Sequence, residues 1–477
     1  MEEFYLHSLD SIPLEKIVKE EYRTYQIYTL MDRAIPYLRD GLKPSQRRIL
    51  FTLWKNQSKG LMKVSSATGL VLTLHPHGPA SIESSIVNLA QDFTFTNNYP
   101  LIDKKGYFGE RMETSPAASR YIECKLGKMS QILLFDDMNQ VPMIPNYDEK
   151  VMEPAHLLPK LPIMLLNGAE GIGTGFSSVI PSFGHKEIIR SMISVIEGAR
   201  PRKVKPFVRN YSADIGFDGK KLTFPMLFNE DSDGIYISEL PRGYDAQKIY
   251  RYLGKYMEEG YLKDFVDSSV DNTIHIELIF KRGQTPKLAE VRAKMGAISS
   301  LTSNYTLISE RGVKIFDKAE EIIEIFTGQR LEVVKRRYEL LAIDAKNKID
   351  QNNEIIRFIK QKHYEKATKS KNRKTFVEYL QSKKFNYFDY LADMPIYRMT
   401  IEEVSKRQLI VKEETKKLAE YKKIAKSNTL IKKKLIAELG EVDEKLEAIV
   451  KERDKKRKEL YKSLAKKPVK KKVRKRQ

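Results

Sequence analysis

The chain has 477 residues, 41% hydrophobic and 10% aromatic, which is enough apolar matter for several cores and excludes a disordered protein. A formal net charge of +22 points to a polyanionic partner, nucleic acid above all. The single cysteine, Cys124, excludes an intrachain disulfide and a multi-cysteine zinc site, and no apolar run approaches the ~20 residues of a membrane span, so a soluble intracellular protein without a membrane partner is expected.

Residues 1–20 read as an N-terminal arm with no apolar leader. From there to about 160, short helices joined by tight turns, beginning with IVKEEYRTYQIYTLMDRAIPYL and DGLKPSQRRILFTLWKN, suggest a helix-turn-helix module. Its second segment places Lys43, Arg47 and Arg48 within six residues, a set that suits phosphate oxygens or a solvated helix face. TLHPHGPAS then sets His75 and His77 two apart. A metal-binding pair of this spacing sits on a strand, which the intervening proline disfavours, so phosphate-contacting imidazoles or plain turn histidines remain.

In TSPAASRYIECKL a tyrosine, Tyr121, follows Arg120 in a run of small residues. A phenol with a pKa of ~10 attacks phosphorus only where cations stabilise the phenolate and the developing charge, and Arg120 supplies one such cation. The glycine-rich stretch NGAEGIGTGFSS at 167–178 lacks a Walker lysine and the GxGxxG spacing. Its glycines suit close approach to a large ligand or a tight turn, with Ile172 a candidate wedge between base pairs.

Between about 205 and 305, GIYISELP and NTIHIELIF alternate apolar and polar residues like strands, with QKIYRYLGKYMEEG as a helix between them, which describes a separate α/β domain. Beyond 318 the stripe Leu331, Val334, Tyr338, Leu341, Ala345, Ile355, Ile359 and a second stripe, Leu435 to Ile449, predict an antiparallel coiled coil with a helical knob, where Thr400 and Glu403 form a capping box. The last 27 residues carry 15 Lys/Arg against three Asp/Glu, and their end, AKKPVKKKVRKRQ, reads as a disordered arm for nucleic acid or a nuclear address.

Taken together, RAIPYLRDGLKPSQRRIL, HPHG, GYFGERMETSPAASRYIE, YDEKVMEPAHLLPKLPIMLLNGAEGIGTGFSSVIP and ISELP resemble, in order, the breakage-reunion subunit of type IIA DNA topoisomerases. The resemblance implies a multidomain α+β fold. Its parts are an arm (1–20), a winged-helix DNA-gate domain (21–160), a tower domain with the wedge loop (161–317), a coiled coil with a helical C-gate (318–465) and a basic disordered tail (466–477). It further implies catalytic roles for Tyr121, Arg120, His77 and Arg47, and DNA-binding roles for Arg33, Lys43, Arg48, Lys63, His75 and Ile172. Tyr121 would form a 5′-phosphotyrosyl link, making a transient double-strand break for strand passage.

Neither an ATP-binding motif nor the acidic cluster of a TOPRIM metal site is present in the sequence. Mg2+ and ATP are therefore expected on one or more TOPRIM/ATPase partner chains, and the protein is expected to form a homodimer through the DNA gate and C-gate on double-stranded DNA in the cytoplasm, the nucleus not being excluded. Gln46 stands where bacterial members of the family usually have His, as in eukaryotic members, while HPHG is the bacterial form. No β-propeller follows the coiled coil, so gyrase-type supercoiling is not expected. Two rival readings make different predictions: a DNA-binding relative without cleavage would leave no covalent adduct, and a single-strand nickase using the His pair would nick DNA alone with a divalent metal.

Overall fold

The computed structural model describes residues 15, 17–232, 234–283 and 286–465, so most of the expected arm and the whole basic tail lie outside the described residues. The chain divides into two compact units, one of residues 1–329 with 438–477 and one of residues 330–437.

The first unit opens with a helical segment, 17–34, that widens into π turns at Ile17–Tyr22 and Leu30–Ala34. Helix Pro44–Lys55 follows. Proline at its first position needs no amide partner there, and the Gln46 side chain accepts the Lys43 backbone N–H at 3.0 Å. Gln46 thus caps its own helix. The helix buries Ile49, Leu50, Phe51 and Leu53 against helices Val64–Val71 and Pro79–Ala90. A small antiparallel sheet completes the module in the order Met62–Lys63, Glu123–Leu126, Ile102–Lys105. Three helices and this sheet form the expected winged-helix arrangement, and its central strand begins two residues after Tyr121.

In the same unit, a four-stranded antiparallel sheet runs in the order Leu227–Asp231, Gly234–Glu239, Ile276–Ile279, Asp264–Asp267. The alternation expected for GIYISELP is present: Ile235, Ile237 and Glu239 are buried while their neighbours are half-exposed. Helix Ala246–Glu258 starts at Asp245, whose carboxylate accepts the Lys248 N–H at 2.8 Å. It closes a core of Phe228, Ile249, Leu253, Val291 and Met295, joined by one residue from far upstream, Met112.

The 42-residue helix Ala319–Lys360, in the second unit from Arg330 onward, carries the first stripe, with Val334, Ala345, Ile355 and Ile359 buried. Its antiparallel partner is helix Ile401–Lys426: the rings of Tyr338 and Tyr421 lie 6.0 Å apart, and Arg407 donates to Asn352 at 3.0 Å. An antiparallel coiled coil is therefore present, but these contacts are made by this helix, expected among the short ones, and not by the expected Leu435–Ile449 stripe; it buries only Val404, Glu414 and Ile424 and so has no apolar period to announce it. Between the arms, Phe358, Phe376, Leu380, Phe385 and Leu391 build the core of the knob. Thr400 caps the return arm by accepting the Glu403 N–H at 3.2 Å, while the Glu403 carboxylate turns to Arg407 at 2.7 Å instead of closing the box.

The second apolar stripe lies on helix Asn428–Ala465, whose later residues belong to the first unit. There Asp443 lies 2.8 Å from His185, Arg453 pairs with Asp103 at 2.6 Å and Arg457 with Asp271 at 2.6 Å. Arg453 and Arg457, in the segment expected to be helical, are thus paired with aspartates of the first unit.

Candidate active site

Tyr121 sits at the end of a turn, its N–H bonded to the Ala118 carbonyl at 2.8 Å, and 65% of it is exposed. The Arg120 guanidinium carbon lies 4.6 Å from the centre of its ring. Lys63 flanks the turn, pairing with Glu123 across the sheet at 3.1 Å. An exposed phenol with a cation against its ring is placed to meet a ligand as large as a duplex.

The basic constellation forms around the two histidines, whose rings lie 4.5 Å apart. Arg33 Nη2 lies 3.1 Å from His77 Nδ1, and because a guanidinium only donates, Nδ1 accepts and Nε2 carries the hydrogen. That nitrogen faces Asp32 at 3.4 Å and the Tyr28 hydroxyl at 3.3 Å. Arg33, His77, His75 and Ser45 line one concavity of about 600 Å3. Among the described residues Tyr121 makes no hydrogen bond or ion pair with this constellation.

The cations of DGLKPSQRRIL divide. Lys43 Nζ donates to the Glu170 carbonyl at 2.8 Å, keeps two further donors, and has its pKa lowered by burial. Arg47, expected to be catalytic, is instead 6% exposed: Nε and Nη2 both donate to Asp40, at 2.6 and 3.2 Å. Asp40 also accepts the N–H groups of Leu42 and Leu157. Arg48, expected on DNA, forms a bidentate pair with Glu153 at 2.7 and 2.9 Å and donates to His75 Nδ1 at 3.0 Å. Both arginines find a carboxylate inside the fold.

His75 is nearly buried, and that burial, reinforced by Arg48 and His77, pushes its pKa down to about 4. A depressed imidazole pKa stabilises the fold above the unfolded value of 6.5, and this contribution is lost as pH falls from there toward 4. We expect about 3 kcal/mol to disappear over that window. His75→Gln, which keeps an acceptor for Arg48, should flatten the fall in denaturant midpoint between pH 7.5 and 4.5. Equal slopes for both proteins would refute this account of His75.

The wedge loop forms a hairpin, Ala169–Ile172 with Ser177–Ile180, and Ile172 stands 90% exposed on it. Gly171 and Gly173 serve the protein's own packing: a Cβ on Gly171 would stand 1.9 Å from the Ala34 carbonyl oxygen, and one on Gly173 would stand 2.4 Å from Leu30 Cδ2. The hairpin is thereby seated on the segment that carries Arg33.

Tyr28, Asp32, Asp40 and Glu153 were missed from sequence. Tyr28 and Asp32 are four apart on one helical face, a readable signal, whereas Glu153 meets Arg48 across 105 residues. No group of three or more His, Cys, Asp or Glu that could hold a metal occurs among the described residues.

The family model of the DNA gyrase/topoisomerase IV A-subunit matches residues 33–440. The chain belongs to this family. It is similar to the mitochondrial DNA topoisomerase 2 of Dictyostelium discoideum, 28% identical over 94% of this chain and 36% of that protein. It is also similar to the DNA gyrase A-subunit of Brachyspira hyodysenteriae, 27% identical over 87% of this chain and 54% of that one. The chain spans between about a third and a half of these curated relatives. The crystal structure of the Plasmodium falciparum topoisomerase II DNA-binding, cleavage and re-ligation domain shares its fold with a TM-score of 0.79 at 24% identity, over 90% of this chain and 64% of that one. The gyrase/topoisomerase IV A-type fold thus carries the tyrosine turn, the histidine constellation and the wedge hairpin.

Proposed function

We propose that this chain is the DNA-cleaving and rejoining component of a type IIA topoisomerase. The observation that carries the reading is the exposed Tyr121 with Arg120 on its ring, in a chain of this family. The phenolic oxygen attacks a backbone phosphorus, the P–O3′ bond breaks, the proton passes to the departing 3′ oxygen, and the 5′ end is held as a phosphotyrosine ester. The reverse transfer reseals the strand without an external energy source. Arg33, Lys43 and His77 bind the scissile phosphate, and two copies cut the two strands of one duplex. In the proposed dimer each copy offers its cluster to the tyrosine of the other.

The family works with Mg2+ and ATP, and we assign both to a TOPRIM/ATPase partner because this chain carries no cluster suited to the metal among its described residues. The knob, with Ile396, Tyr397 and Ile401 exposed, serves as the second dimer contact. No helix among the described residues is long and apolar enough to cross a membrane. DNA association is the expected state, in the cytoplasm.

Ile172 inserts between base pairs and bends the duplex. Ile172→Ala should reduce bending of an end-labelled duplex, read by energy transfer, and lower cleavage about tenfold, equivalent to roughly 1.4 kcal/mol. Unchanged bending would remove Ile172 from this role. The functional reading is tested by mixing the chain, its metal-bearing partner, supercoiled plasmid, Mg2+ and ATP, quenching with detergent and mapping the protein left on 5′ ends. DNA bound by both chains without such an adduct would favour a binding protein.

A further inference from the structure

The motif ISELPRGY, with Glu239 through Tyr244, sits between the wedge and the nucleophile and touches what positions each. On one side is Arg111, in the loop that leads to Tyr121. It is 4% exposed, and its guanidinium donates to three main-chain carbonyls of the motif: Nη1 to Tyr244 at 2.5 Å, Nη2 to Leu240 at 3.0 Å and to Pro241 at 3.1 Å. The next residue, Met112, is buried in the core of the four-stranded domain, and its carbonyl accepts the Ala246 N–H at 3.0 Å. On the other side, Arg242 pairs with Glu170 in the wedge hairpin, two residues before Ile172. The Glu170 carbonyl in turn accepts from Lys43 at 2.8 Å.

The loop between Arg111 and Tyr121 is itself braced. Gln91 Nε2 donates to the carbonyls of Phe108 and Thr114, at 2.9 and 3.3 Å, and the Ala117 N–H donates to the Tyr107 carbonyl at 3.0 Å. A Cβ on Gly109, whose φ is +88°, would stand 2.4 Å from the Thr114 carbonyl oxygen, so this close turn requires glycine. A buried arginine spanning three carbonyls is a costly arrangement for packing alone, and burial lowers its pKa. Its Nε has no hydrogen-bond partner among the described residues.

We propose that the 240–244 segment is a mechanical link that couples wedge insertion to placement of Tyr121, with Arg242 and Arg111 as positioning residues at its two ends. The proposal rests on the cleavage reading above. When Ile172 enters the duplex, the load on its hairpin passes through Glu170 and Arg242 to the segment whose carbonyls hold Arg111, and from there along the braced loop to the tyrosine turn. Bent DNA is thereby registered at the nucleophile before cleavage.

The test uses the full chain reconstituted with its metal-bearing partner. Arg242→Ala, Ile172→Ala and the double variant are compared for 5′ adduct yield and, by fluorescence anisotropy, for duplex affinity. Arg111→Lys serves as a second probe, since it keeps the charge but cannot span three carbonyls. With the link in place, each single variant loses about tenfold in adduct at an affinity within about threefold of the unaltered chain. The double variant falls no lower than the poorer single, because both break one path. Losses that multiply to about a hundredfold, or normal cleavage by both Arg242→Ala and Arg111→Lys, overturn the coupling alone. No adduct with the unaltered chain overturns the cleavage reading and the coupling with it.

Discussion

Tyr121→Phe removes the covalent protein–DNA adduct and plasmid relaxation together, by at least about a thousandfold, while duplex binding stays within about twofold. The phenyl ring keeps the contact with the Arg120 guanidinium, and the turn is held by a main-chain bond from Tyr121 to Ala118, so only the attacking oxygen is lost. Because the side chain is exposed and its hydroxyl bonds nothing among the described residues, the substitution leaves folding stability within about 0.5 kcal/mol. Relaxation that survives in the Phe variant would transfer the nucleophile to another residue. A matched loss in Arg33→Ala, whose guanidinium meets His77, would place the phosphate cluster in the same step.

Asp40→Ala lowers global stability by about 3–5 kcal/mol, because it leaves the Arg47 guanidinium buried without its counter-charge. The carboxylate is fully buried and also accepts the amides of Leu42 and Leu157, so the loss orphans two main-chain donors as well. Denaturant unfolding followed by circular dichroism reads the change directly. Arg47→Ala should show a loss of the same order, whereas a scissile-phosphate ligand would lose cleavage at nearly unchanged stability. A stable Arg47→Ala protein without cleavage activity would return Arg47 to the catalytic set.

These two residues mark where local sequence was enough and where it was not. The stretch around Tyr121 left a half-buried core residue and an exposed one equally open, the family resemblance singled it out, and the structure exposes it. Ile172, isolated among glycines, is likewise the most exposed large apolar residue on its hairpin. The strands around 234–239 and 276–279 were legible because alternate residues face a core on one side only. The return arm of the coiled coil was not, since a 26-residue helix with three buried side chains has no stripe to read.

The cations divide for a different reason. Lys43, Arg47 and Arg48 have the same appearance in DGLKPSQRRIL, and spacing cannot tell a phosphate ligand from a buried strut. What separates them is the counter-charge each one meets: Asp40 for Arg47, Glu153 for Arg48, only a carbonyl for Lys43. Arg111 was equally silent, its partners lying about 130 residues downstream. The sequence by itself determined the family signature, the candidate nucleophile, the candidate wedge and the strand pattern, because these depend on residue type and local period. Tertiary structure alone decided which basic groups are paired within the fold, because an arginine's partners are charges and carbonyls that distant segments bring to it.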